Sequence, residues 1–166
     1  MDQYQARAAM RAQRGQTLIE FALAAPLLLL FVLALVDFGI AIDRRIVLQH
    51  AVREGVRYAS VGGDVLTTGV PATEADILAL TASQSQGIVE VGGDGEDGIA
   101  VCYADRNGND VLGDAGDDVR VQIRYEHDFV TGFTSLFNLS TGSIVMEPEA
   151  SARVERPLEG GGAPCG

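Results

Sequence analysis

An α+β fold, with a long N-terminal transmembrane helix running into a small antiparallel sheet domain, follows from three features of the sequence. Phe21 to Val36 is an apolar run that no charge interrupts. Helical spacing of apolar residues persists beyond that run to about Ser60. From Val89 onward, short runs alternate apolar and polar residues between clusters of glycine and aspartate, the pattern of strands and turns.

The run Phe21–Val36 spans roughly 24 Å as a helix, a little short of a hydrocarbon core of about 30 Å, and its weakly polar flanks supply the remainder. We therefore assign residues 16–42 to a transmembrane helix. Residues 1–15 form a cytoplasmic leader, polar and rich in Ala, Gln and Arg. The apolar stretch is longer than that of a secretory signal, and no small-x-small cleavage site follows it, so the segment is expected to stay as an anchor. Pro26 removes one helical donor and predicts a bend.

Beyond Gly39, Ile42, Ile46, Gln49 and Arg53 share one stripe, while Val47, Ala51, Val52, Val56 and Ala59 form an apolar face. The helix is expected to continue to Ser60 and to stop at Gly62-Gly63-Asp64. Thr73-Glu74-Ala75-Asp76 has the form of a capping box and opens a short second helix that ends by Gly87. Three strands follow: Ile99–Tyr103, Val119–Tyr125 and Ile144–Val154, the last with Pro148 at an edge or a bulge. An extracytoplasmic α+β domain thus covers 43–157. Residues 158–166, with three consecutive glycines, form a flexible tail unless Cys165 ties it down. His127 to Thr141 concentrates Phe129, Phe133, Leu136, Phe137 and Leu139, which serve either as a core plug or as a partner-binding patch.

Charge orients the chain. The formal net charge is −11; residues 1–15 hold three arginines against one aspartate, net +2, which leaves −13 for the rest. The basic end stays cytoplasmic, and the acidic domain lies outside that compartment, across the membrane. Such a surface repels nucleic acid and anionic headgroups. Cys102 and Cys165 lie in the part assigned to an oxidising compartment, where they either pair or remain a strand thiol and a tail thiol. No metal-ligand spacing links the cysteines or the two histidines. No catalytic cluster and no cofactor motif is present, so an enzyme is not expected.

Gly15 followed by Glu20 and Phe21, at the mouth of an apolar helix, resembles the processing site of type IV pilins and pseudopilins. The runs Arg14-Gly15-Gln16-Thr17-Leu18-Ile19-Glu20-Phe21-Ala22-Leu23, Pro26-Leu27-Leu28-Leu29-Leu30, Val36-Asp37-Phe38-Gly39 and Ala51-Val52-Arg53-Glu54-Gly55-Val56-Arg57-Tyr58-Ala59 look like the TadE-like family of tight-adherence (Flp) pilus systems. The resemblance implies a pilin-like fold and a minor pseudopilin, cut after Gly15 by a prepilin peptidase so that Gln16 becomes the first residue. It implies as partners other pilins or pseudopilins and the pilus secretion machinery. The Gln16 α-amine would partner the Glu20 carboxylate, which offsets the cost of placing a carboxylate in lipid. Asp37 is expected either at the outer interface or in a subunit contact. Arg53, Glu54 and Arg57 are expected to pair along the helix or to dock a subunit.

An alternative class remains open: a cell-envelope binding protein on a plain anchor. Asp105-Arg106-Asn107-Gly108-Asn109-Asp110, with Asp114, Asp117 and Asp118, partly imitates a calcium loop. It lacks the glycine at position 6 and the glutamate at position 12 that such a loop needs.

Overall fold

The computed structural model describes residues 2–63, 69–91, 97–131, 142–160 and 162–165, with side chains from Gln16 onward. The chain is α+β: helix α1 (Asp2–Ser60), helix α2 (Glu74–Gln84) and strands β1 (Gly98–Ala104), β2 (Asp118–Asp128), β3 (Ser143–Met146) and β4 (Glu149–Arg153). It divides into two units, one of Met1–Gly39 with Phe129–Gly142 and the other of Ile40–Asp128 with Ser143–Gly166.

In the first unit, α1 already begins at Asp2, well before the expected start at Gln16. Ala, Gln, Arg and Met are strong helix formers, so the leader extends the helix. Pro26 lies inside α1 without ending it. Leu18, Phe21, Leu23, Leu27, Leu28 and Phe31 are each more than half exposed, the surface of a helix made to face lipid. Among the described residues α1 is the one helix long and apolar enough to cross a membrane. An apolar helix of this kind suggests membrane anchoring.

In the second unit, α1 changes character. Ala41, Leu48, Ala51, Val52, Val56 and Ala59 are buried at steps of seven, three, one, four and three residues, a single stripe facing the core. Against them lie Val101 and Tyr103 of β1 and Val119, Val121 and Ile123 of β2. The helix ends in a two-glycine stop: Gly62 N–H donates to Ala59 O at 3.2 Å and Gly63 N–H to Tyr58 O at 2.8 Å. Both glycines have φ of 73°, the left-handed turn that a glycine C-terminus supplies without a Cβ penalty. The capping box at α2 forms, with Thr73 accepting from Asp76 N–H and the Asp76 carboxylate accepting from Thr73 N–H. The Thr73 hydroxyl also donates to that carboxylate at 2.7 Å, and this bond, with the one from Thr73 N–H, holds the Asp76 carboxyl below the usual carboxylate range.

Strand β2 is central. Its first half pairs antiparallel with β1 on one side and with β4 on the other, and its last four residues pair with β3. The register does not shift between β3 and β4: Tyr125 faces Met146 and Gln122 faces Glu149. Pro148 therefore marks an edge and not a bulge; its carbonyl still accepts from Ile123 N–H at 3.0 Å, and only the donor it lacks is missing from the ladder. Alternation places Met146 and Val154 inward and Val145, Glu147, Glu149 and Arg153 outward. Arg124 and Glu147, opposite one another, pair at 2.9 Å on the outer face.

The tail is held, because the condition attached to its freedom is not met. Cys102 and Cys165 form a disulfide across 63 residues of sequence. Tyr103 N–H donates to Ala163 O and Cys165 N–H to Tyr103 O, a parallel bridge beside β1. Gly162 lies against the Tyr103 ring so closely that a Cβ there would sit 1.8 Å from a ring carbon. Burial, with a smaller contribution from Glu74, pushes the Tyr103 phenol up to about 12.

A glycine in mid-helix costs about 1 kcal/mol relative to alanine, yet Gly55 occupies the buried stripe of α1. A Cβ at Gly55 would lie 2.2 Å from Thr81 Oγ1 on α2, and that hydroxyl is itself fixed by a 2.7 Å bond to Ile77 O. Gly55 thus allows the two helices to approach. Gly55→Ala is expected to destabilise the outer unit by about 1–3 kcal/mol, measured by denaturant unfolding of the detergent-solubilised full chain. The loss should shrink in a Thr81→Ala background, where the clashing hydroxyl is gone.

Candidate assembly site on the long helix

Near the start of the side-chain-described helix, Gln16 and Glu20 face one another across one turn: Gln16 Nε2 donates to Glu20 Oε1 at 3.4 Å. Both are exposed, between the exposed apolar residues Leu18, Ile19 and Phe21. Spacing of four residues along a helix is what brings these positions together. The Gly15–Gln16 peptide lies within α1. Thus a group at position 16 meets the carboxylate at position 20 on the same helix face.

Asp37 behaves differently. It is fully buried, and it binds a segment 93 and 94 residues further along the chain. Val130 N–H donates to Asp37 Oδ1 at 3.1 Å, and Thr131 N–H reaches Oδ1 at 3.1 Å and Oδ2 at 3.2 Å. The Thr131 hydroxyl donates to Oδ2 as well. A carboxylate taking several N–H and O–H donors is strongly bound where it is. Alongside, the Phe38 and Phe129 rings meet at 6.2 Å between centroids, and Phe129 N–H donates to Gly142 O at 2.9 Å. So Asp37 fixes the strand-to-strand connection onto α1. Sequence reasoning did not find this contact, since nothing in either segment names its partner; the aromatic cluster from Phe129 onward was the one available hint. Its remaining members Phe133, Leu136, Phe137 and Leu139 lie outside the described residues.

Further along α1, Arg57 Nη1 sits 3.5 Å from Glu54 Oε1, an exposed i,i+3 pair. Arg53 is exposed too. Such surface pairs contribute little to stability.

These charges, the apolar span and the stripe with Gly55 lie within one continuous stretch. Residues 15–57 match the family model described as TadE-like protein. This stretch is TadE-like. No match was found among curated proteins, and none among solved structures. The TadE-like segment covers the Gln16–Glu20 pair, Asp37, Gly55 and the Arg53/Glu54/Arg57 face, and it stops before α2 and the sheet. A segment of this family suggests a part in Tad pilus assembly.

Outside the TadE-like segment, the acidic loop between β1 and β2 folds around its own backbone. Asp105 accepts from Gly108 N–H at 2.6 Å and Asp110 N–H at 2.9 Å, bonds that hold its carboxyl below the usual range. Asp117, fully buried, accepts from Arg106 N–H at 3.1 Å and Gly113 N–H at 3.0 Å. Asp114 takes the side-chain amides of Asn107 and Asn109, and Asp118 takes Arg106. Among the described residues no group of three His, Cys, Asp or Glu side chains converges on a common point for a metal. These are turn-forming interactions.

Removing the Asp37 carboxylate should release the connection it holds. In Asp37→Ala, hydrogen exchange at the Val130 and Thr131 amides is expected to rise sharply, with a stability loss of about 1–3 kcal/mol for the donors left without an acceptor. Unchanged protection at those two amides would show that the carboxylate does not hold them.

Proposed function

We propose that this chain is a membrane-anchored minor pseudopilin that acts structurally, not enzymatically, in assembly of a tight-adherence (Flp, type IVb-like) pilus. The observation that carries the reading is the TadE-like match over residues 15–57, which coincides with the apolar helix and its placed charges. Single-pass topology with a cytoplasmic N-terminus is supported by the arginines of the leader and the acidic outer unit. The Cys102–Cys165 disulfide suits an oxidising compartment.

The mechanism follows from the helix. Prepilin peptidase cuts after Gly15, and the new amine at Gln16 lies one helical turn from Glu20, which the Gln16 side chain already meets. In lipid that opposite charge, on the same helix or on a neighbouring pilin, lowers the cost of the carboxylate and sets the stagger between helices. The exposed apolar surface from Leu18 to Val36 then exchanges lipid for neighbouring pilin helices as the secretion machinery moves subunits. The alternative, an acidic calcium- or partner-binding loop on a passive anchor, loses support as a calcium site because the carboxylates of Asp105, Asp114, Asp117 and Asp118 are occupied by the loop's own donors.

Deleting the chain from a piliated strain is expected to abolish pili, with recovery on re-expression of the wild type. Protein purified from the recovered cells should begin at Gln16 by intact-mass and N-terminal analysis. Normal piliation in the deletion strain would remove the assembly role; Met1 retained in recovered, piliated cells would remove the processing step.

A further inference from the structure

The Asp37 contact sits at an informative level of the helix. Asp37 is the first charge after the uncharged run Phe21–Val36, so if that run spans a membrane Asp37 marks the outer end of the span. Val130 and Thr131 are bonded to it and are therefore held at the same height. Yet Val130 is 72% exposed and Phe38 is 51% exposed, two apolar side chains presented outward beside a buried carboxylate.

The sequence around Val130 is equally unlike a solvent loop. From Phe129 to Met146 there is no charged side chain, although charged residues make up 21% of the chain, and Asp128 and Glu147 bracket the stretch. The backbone carries a further sign. At the edge of a bilayer an N–H without a partner is expensive, so backbone that approaches lipid must have its donors satisfied from within the protein. Asp37 does this for Val130 and Thr131.

We infer that the edge formed by Phe38 and Val130 is a second membrane contact, seated at the boundary between headgroups and acyl chains beside the transmembrane helix. The inference rests on the reading that the apolar helix spans a membrane. Its occupant is lipid and not a second copy of the chain, because the edge continues the exposed apolar surface of the span, the intervening Asp37 carboxylate being buried, and an uncharged aromatic and aliphatic border is what that boundary favours. The function that follows is a fixed depth: Val130, held by Asp37 just after β2, rests on the bilayer surface and sets how far the helix is drawn out of it.

The chain contains no tryptophan, so a single introduced one reports alone. Val130→Trp, Leu28→Trp within the span and Val111→Trp on the acidic loop, all at exposed positions, would each be placed in the full chain. Each is reconstituted at one copy per nanodisc of phosphatidylethanolamine and phosphatidylglycerol, with doxyl-labelled lipid carrying the quencher near the headgroup or deep in the chain. Val130→Trp is expected to show blue-shifted emission lost to the shallow quencher more than to the deep one. Leu28→Trp should show the reverse, and Val111→Trp should respond only to aqueous acrylamide. Leu28→Trp quenched by lipid while Val130→Trp behaves as Val111→Trp would overturn the inference and leave the anchor intact. Val130→Trp shielded from lipid and acrylamide alike when two copies share a disc would assign the edge to a second copy instead. Leu28→Trp insensitive to lipid would overturn both readings.

Discussion

One helix has to satisfy two solvents, and the rest of the structure depends on how it does so. From Phe21 to Val36 its side chains are apolar on all sides and mostly exposed; from Ala41 most apolar residues gather on one buried stripe, although Ile42 and Ile46 stay exposed, and the outward positions Asp43, Arg45, Arg53 and Arg57 are polar. That stripe closes the core of the outer unit. The sheet offers Val101, Tyr103, Val119, Val121 and Ile123 on one face, and a three-lane sheet with a single apolar face needs a covering helix. Removing the small residues Ala51, Gly55 and Ala59 from the stripe would keep α2 and the sheet from closing on it.

Around this core, polar groups are turned to local use. The loop from Asp105 to Asp118 carries enough aspartate to suggest an ion site, but Asp105 and the fully buried Asp117 cap backbone N–H groups, and Asp114 and Asp118 take the side chains of Asn107, Asn109 and Arg106. Val154 and Gly116 tie the loop to the end of β4 through paired backbone bonds of 2.8 Å. Leu158 and Glu159 continue inward contacts to Gly113 and Ala72. The C-terminal residues are thus a strap on the sheet, fastened at Cys165. Closing a loop of that length stabilises by on the order of 4 kcal/mol in the chain-entropy account.

Much of this was legible in the sequence because the information is local. The period of apolar residues gives α1 and its core face, the Thr73/Asp76 spacing gives the start of α2, and period-two alternation gives β2 and the inward set on β3 and β4. What was not legible depends on residues far apart in the chain. Asp37 and Val130 lie 93 residues apart, and an aspartate at the end of an apolar run reads equally well as an interfacial charge. Gly55 becomes intelligible only when Thr81 is placed against it. Pro148 suggested an edge or a bulge, and choosing between them required the register on both sides. The pairing of Cys102 with Cys165 could be posed from sequence but not decided, since spacing does not fix connectivity.

Within the TadE-like segment, structural demands account for Asp37 and Gly55, whereas Glu20 is exposed and, among the described residues, meets the Gln16 side chain one turn away. This exposed carboxylate at the mouth of an apolar helix is the residue on which the assembly account stands. The most direct measurement is therefore piliation in a strain whose only copy of the chain carries Glu20→Ala, with membrane insertion and protein level followed in the same cells. The account predicts normal insertion and level with pili lost; normal piliation would contradict it.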